Sequence, residues 1–150
     1  TSATGQTVDS NGFRFIWNMY NRLAKEVIRT DSTDNWTYAT NTWRSWNNNS
    51  ANSIGMVRGL DEDNVDVTFT AILAGGNGII GMQIGSAGGD GIVPHTNDTS
   101  IESITTRFDD LAGIGYRVLF LSERALSGTT TFYGDGASVL LAGARGHVWC

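Results

Sequence analysis

The run Val65-Asp66-Val67-Thr68-Phe69-Thr70-Ala71-Ile72-Leu73 decides the fold. Val65, Val67, Phe69, Ala71 and Leu73 alternate with Asp66, Thr68 and Thr70, and successive side chains of an extended chain point to opposite faces. The run therefore predicts a strand with one buried face and one mostly wet face. Just beyond it, Gly75, Gly76 and Gly78 supply a turn, and Ile80, Met82 and Ile84 repeat the alternation. That arrangement predicts a hairpin followed by a loop over residues 85–99.

The same grammar holds on both sides of this centre. Upstream, residues 54–57 form a short apolar run ending at Gly59, bounded by the polar loop 47–52 and the acidic turn 61–64. Trp36 and Tyr38 follow a cluster of Asp, Ser, Thr and Asn at 31–35 that favours a turn. Residues 22–30 read as a strand, although Phe15, Ile16, Trp17, Tyr20, Leu23 and Ala24 also fit a short helix. Downstream, Ser127 and Gly128 turn the chain into a β-rich run at 129–133, and the chain closes on Arg145, Gly146, His147, Val148, Trp149 and Cys150.

Short strands separated by turn clusters predict an all-β protein, an antiparallel β-sandwich or jelly roll. Composition agrees: 19 Gly and a large share of Thr, Ser and Asn disfavour helices, and there is one proline, Pro94. At 150 residues, with 40% hydrophobic and 17% charged side chains, the chain has material for one core. Residues 1–12 lack an apolar period and read as an N-terminal arm, leaving 13–150 as a single domain.

One segment raises a question of assembly. In residues 116–123, Val118 and Phe120 point to one side while Leu119 and Leu121 point to the other, so both faces are apolar. A strand in a two-layer sandwich needs only its inner face covered, so the second face calls for another layer or another subunit. Residues 139–141 show the same two-sided character. Leu119, Leu121, Val139 and Leu141 are the expected subunit interface of a homo-oligomer.

Charge and motifs narrow the chemistry. The formal net charge is −5 and Lys25 is the only lysine, so the clustered positive charge that grips a phosphate backbone is missing and no nucleic-acid partner is expected. No run of eighteen apolar residues is present to span a bilayer, and no membrane partner is expected. His95 and His147 are the only histidines. They lie too far apart in sequence, with only Cys150 beside them, to match a zinc-ligand spacing.

Other motifs fall short in similar ways. Gly85-Ser86-Ala87-Gly88 lacks the glycine two positions before the serine that a nucleophile elbow requires. The acidic loop Asp61-Glu62-Asp63-Asn64 lacks the turn glycine and closing glutamate of an EF-hand, and the glycine-rich stretches match neither a P-loop nor a dinucleotide fingerprint. No catalytic, cofactor-binding or metal-binding residue is expected. Paired carboxylates for glycan cleavage are not decided by sequence, because their signature is a distance in space.

Two groups remain as candidates for contact with other molecules. Trp36, Tyr38, Trp43 and Trp46 could stack on sugar rings of a host-surface glycan or anchor a partner, against the plainer reading that they fill a sandwich core. Cys150, the single cysteine, has no intrachain partner for a disulfide and could be bonded to a neighbouring subunit.

The runs Asn35-Trp36-Thr37-Tyr38, Thr42-Trp43-Arg44, Ala51-Asn52, Val57, Gly59-Leu60-Asp61-Glu62-Asp63 and Val67 form a recognisable pattern. So do Ser127-Gly128-Thr129-Thr130-Thr131-Phe132-Tyr133-Gly134 and the closing Gly146-His147-Val148-Trp149. Together they resemble a β domain of tailed-bacteriophage virion structural proteins, found in head decoration, head fibre and tail-fibre C-terminal domains. The resemblance implies a jelly-roll-like module, commonly trimeric, on the virion surface beside other virion proteins, and no enzyme. The terminal Cys150 departs from the pattern. Three functions follow as expectations: a structural protein that decorates the capsid or forms a head fibre, a tail-fibre module that recognises glycan, and, least favoured, a glycan-cleaving enzyme.

Overall fold

A computed structural model describes residues 8–10, 13–15, 24–62, 64–94, 100–110, 112–136 and 142–149. The strands in chain order are β1 (Val8–Ser10), β2 (Phe13–Phe15), β3 (Ala24–Arg29), β4 (Asn35–Tyr38) and β5 (Arg44–Ser45). After a single 3-10 turn at Trp46–Asn48 come β6 (Ser53–Arg58), β7 (Val65–Ala74), β8 (Gly78–Ile84) and β9 (Asp90–Pro94). The remainder are β10 (Glu102–Asp110), β11 (Gly115–Ala125), β12 (Thr130–Tyr133) and β13 (Gly143–Trp149).

These strands build an all-β, antiparallel sandwich. In the larger sheet β7 is central. β10 runs along one of its edges, and β13 and β12 share the other, with β3 beyond β13 and β4 beyond β12. In the smaller sheet β11 is central, with β8 and then β9 on one edge and β5 and β6 sharing the other. β1 and β2 pair with each other antiparallel, as a separate two-stranded sheet.

The alternation in β7 is realised as read: Val65, Val67, Phe69, Ala71 and Leu73 are all fully buried. They face Ile80 and Met82 of β8 and Leu119 and Leu121 of β11 across the core, with Phe132 and Trp46 filling the space between. Each such side chain contributes roughly 1.5–3 kcal/mol by leaving water.

Three expectations need correction. β7 and β8 do not form a hairpin, because the chain crosses between sheets at residues 75–77. Gly75 and Gly76 take φ of 65° and 59°, in the left-handed region that costs glycine little. The corner is tied to the neighbouring corner at Ser127, where the Asn77 amide donates to the Ser127 carbonyl and the Leu126 amide to that of Asn77. Residues 85–99 are not all loop, since β9 lies within them. Finally, β10 is a strand that the pattern above does not include. It carries Ile104, Thr106 and Phe108 inward between exposed polar residues, and a hydroxyl in the middle of its inner row interrupts the apolar signal.

The faces of β11 are also reversed from the expectation. Leu119 and Leu121 are fully buried in the chain's own core and cannot be a subunit interface. The row Leu119, Leu121, Glu123 and Ala125 points inward, while Val118 and Phe120 are the half-buried outer row. Val139 and Leu141, the other half of that expected interface, lie outside the described residues, as does Cys150.

Candidate functional site

The four aromatic side chains expected as a recognition site are brought to one end of the sandwich, but mostly not to its surface. β4 turns both Trp36 and Tyr38 inward, opposite Phe132 and Thr130 of β12. The Trp36 ring stacks on Phe132 with centroids 6.2 Å apart and planes within 9°. Trp46, fully buried, meets Trp36 edge-on at 5.5 Å and Phe69 edge-on at 5.1 Å. Trp46 is therefore a core residue with no surface to offer a glycan, and Trp36 is half-buried with its ring faces and edge taken up by Phe132 and Trp46. Trp43 lies half-buried against the bare backbone of Gly81 and Gly89, with the Arg124 guanidinium 4.7 Å from its ring.

What the aromatics enclose is a buried carboxyl that bonds to a partly exposed arginine. Glu123, at the inner face of β11, is fully buried. Its Oε1 accepts from Arg44 Nε at 2.8 Å and lies 2.7 Å from Arg44 Nη2. Trp36 Nε1 donates to both carboxylate oxygens, at 3.1 and 2.9 Å, and the Asn47 amide adds a further donor. The Arg44 guanidinium in turn lies 3.8 Å above the Tyr38 ring, whose hydroxyl donates to the Thr42 carbonyl at 3.0 Å. Trp36 belongs to the larger sheet and Arg44 to the smaller, so Glu123 fastens the two layers together. Burial pushes the Glu123 carboxyl up to about 7, with Trp36 and Arg44 pulling the other way.

A second buried carboxylate holds the adjoining loops. Asp31 accepts from the Thr33 amide at 2.9 Å through one oxygen, and from Asn52 Nδ2 at 2.5 Å and Asn47 Nδ2 at 3.1 Å through the other. Asn52 Nδ2 also donates to the Trp46 carbonyl at 2.9 Å, which fixes the 3-10 turn. Burial alone would raise the Asp31 carboxyl, but bonds from the Thr33 side chain, Asn52, the Thr33 amide and Asn47 outweigh it and hold the group below its ordinary range.

A perturbed carboxyl is a mark of catalytic sites only when substrate can reach it. Glu123 has no exposed surface, and both of its oxygens are engaged by donors, so its chemistry is structural. Among the described residues, no group of three His, Cys, Asp or Glu side chains could hold a metal ion. The acidic loop is dispersed: Asp61 lies 4.0 Å from Arg58 Nη1, and Asn64 donates to Asp109. His147 sits exposed on the larger sheet, and His95 lies outside the described residues.

The outer face of the smaller sheet carries a partly exposed apolar row. Strand pairing sets Tyr116 beside Val57 and Val118 beside Gly55, with Phe120 next along the row. Val57, Val118 and Phe120 are half-buried, and Tyr116 is 61% exposed. At Gly55, which is bare, the Tyr116 hydroxyl lies 2.9 Å from where a methyl would stand. The signal that points to Glu123 is its place two residues after Leu121, in register with the apolar row Leu119 and Leu121. Asp31 carried no such signal, because Thr30, Ser32 and Thr33 around it are polar.

No protein-family model matches the chain, and no curated protein matches it.

Proposed function

We propose that this chain is a non-enzymatic structural module of a tailed-bacteriophage virion, which decorates the capsid or forms a head fibre by associating with copies of itself and with other virion proteins. The observation that carries the assembly part is the apolar outer row of β11, Val118 and Phe120 beside Val57 and Tyr116. A strand whose inner face already fills the core gains nothing within the chain from a second apolar face. Covering that face with a sister copy removes it from water, and repetition about a threefold axis gives the trimer. The virion setting rests on the sequence pattern between Asn35 and Trp149. The buried, fully bonded state of Glu123 supports a scaffold over an enzyme.

Light scattering on the purified chain tests this reading. The wild type should run as a trimer, and Phe120→Asp should dissociate it while leaving the far-ultraviolet β signal in place. Leu119→Asp should instead unfold the chain, because that side chain lies in the core. A wild type that stays monomeric at every concentration tried would overturn the assembly reading.

A further inference from the structure

One residue joins the two buried carboxyls. Asn47 sends its backbone amide to Glu123, and its side-chain Nδ2 to Asp31 at 3.1 Å and to the Thr33 hydroxyl at 2.9 Å. In doing both, Asn47 takes φ 56° and ψ 29°, and Asn48 follows at φ 51°. Asparagine enters this left-handed region more readily than most residues, but two in succession run against the chirality of the chain. The turn at Trp46–Asn48 is thus held in shape from outside, by Glu123 on one side and Asp31 on the other. The Trp46 carbonyl accepts from the Asn49 amide at 3.2 Å and from Asn52 Nδ2 at 2.9 Å, and Asn52 Nδ2 also reaches Asp31. Between them Asn48, Asn49, Ser50 and Ala51 form an exposed loop.

Among the described residues, the polar groups that face the Glu123 carboxyl are all donors. Oε1 accepts from Arg44, Trp36 Nε1 straddles both oxygens, and the Asn47 amide completes the set. The other elements packed there bring no charge: β8 sets Ile80 opposite Glu123, and Phe132 of β12 and Phe69 of β7 lie against Trp36 and Trp46. Tyr38 turns its hydroxyl away to the Thr42 carbonyl, and Arg124 lies on the other face of β11, over Trp43.

Such a ring of donors suits a carboxylate, but the buried charge has lost its hydration. A neutral carboxyl escapes that cost, yet its O–H meets N–H groups and no acceptor, so one donor must withdraw. Trp36 is clamped between Phe132 and Trp46, and Arg44 is held over the Tyr38 ring. The Asn47 amide sits on a strained turn that opens to solvent, and it is the donor able to give way. Burial pushes the Glu123 carboxyl up to about 7, so both forms are populated at neutral pH. Asp31 stays ionised there, because its bonds outweigh burial and hold it low.

We propose that Glu123 and the Trp46–Asn48 turn form a proton-operated switch: when the carboxyl takes a proton, the Asn47 amide lets go, the turn relaxes from its left-handed conformation, and the exposed loop at 48–51 moves. The proton comes from solvent along Arg44, whose side chain is 23% exposed. The device lies within one chain and does not depend on the proposed assembly.

The test is an NMR titration of the isotope-labelled chain from about pH 5.5 to about 8.5, a window set around the midpoint near 7. The amides of Asn47, Asn48 and Asn49 should move with a single midpoint, shared by the Glu123 side-chain carboxyl carbon. One pH unit to either side, one form should outnumber the other about tenfold. The Asp31 carboxyl carbon, although Asp31 does not itself titrate there, should follow with the same midpoint. Glu123→Gln should hold all these signals fixed. Asn47→Gly accepts the left-handed backbone but drops the bonds to Asp31 and Thr33, so Glu123 should still titrate while the Asp31 signal stops following. The wild-type titration is decisive even where a variant does not fold. A Glu123 carboxyl that does not titrate in this window, or that titrates while Asn48 and Asn49 stay still, would overturn the proposal. So would loop signals that move unchanged in Glu123→Gln, or an Asp31 signal that follows as before in Asn47→Gly.

Discussion

Replacing Glu123 by glutamine keeps the shape of the buried side chain and deletes its titration. In the folded chain burial raises the Glu123 carboxyl from its ordinary 4.5 to about 7. The folded state therefore holds a proton that the unfolded chain has already released. A raised carboxyl contributes stability that is fully present below pH 4.5 and is lost as pH climbs to about 7. The gap of roughly 2.5 units corresponds to about 3 kcal/mol, or on the order of 10 °C in Tm for a chain of this length. Glu123→Gln has no such term. Guanidinium titrations of both proteins, followed by tryptophan fluorescence from pH 4.5 to 8, give the difference directly. The stability of the wild type relative to Glu123→Gln should fall by that amount up to pH 7 and level off above it. Taking the difference cancels every other titrating group. Parallel curves across the window would refute the claim that a buried carboxyl at the junction of the sheets takes up its proton on folding.

Trp46→Ala should cost about 3–5 kcal/mol, because its ring is fully enclosed between Trp36 and Phe69. Trp46→Phe should cost far less, since it removes an indole N–H that has no hydrogen-bond partner; denaturant midpoints separate the two. Asp31→Ala leaves the buried Asn52 amide without one of its acceptors and should cost about 1–3 kcal/mol at neutral pH. Because the Asp31 carboxyl is held low, its contribution is present above 3.8 and lost as pH falls below it, so the wild-type and variant midpoints should converge in acid. Gly146→Ala drives a methyl into the Asp66 carbonyl and the Val67 backbone of β7. It should cost about 2–3 kcal/mol, read as a lowered thermal midpoint.

The polar cluster on the outer face of the larger sheet was not legible in the sequence. Glu26, Thr68, Arg145 and His147 come from three strands, and each is an ordinary polar residue on a wet face. Only the pairing of β3, β13 and β7 sets them side by side. The aromatic group failed in the opposite way. Its residues are conspicuous in sequence, but tryptophan serves core and surface equally well, and Phe132 and Phe69 claimed two of the rings for the core.

Local alternation was enough to establish β7, β8 and β11, because side-chain direction follows from backbone geometry and needs no distant partner. Turn chemistry likewise marked where strands end. Alternation alone is silent about which of two apolar rows faces inward. In β11 the inner and outer rows each carry two successive apolar residues, Leu119 and Leu121 in one and Val118 and Phe120 in the other. The choice fell to contacts far off in the chain, where the row carrying Glu123 is the one that meets Trp36 and Arg44. Whether two neighbouring strands share a sheet was settled in the same way, by the corner bonds at Asn77 and Ser127. Periodicity is a property of the chain by itself, whereas inside and outside exist only once the layers have met.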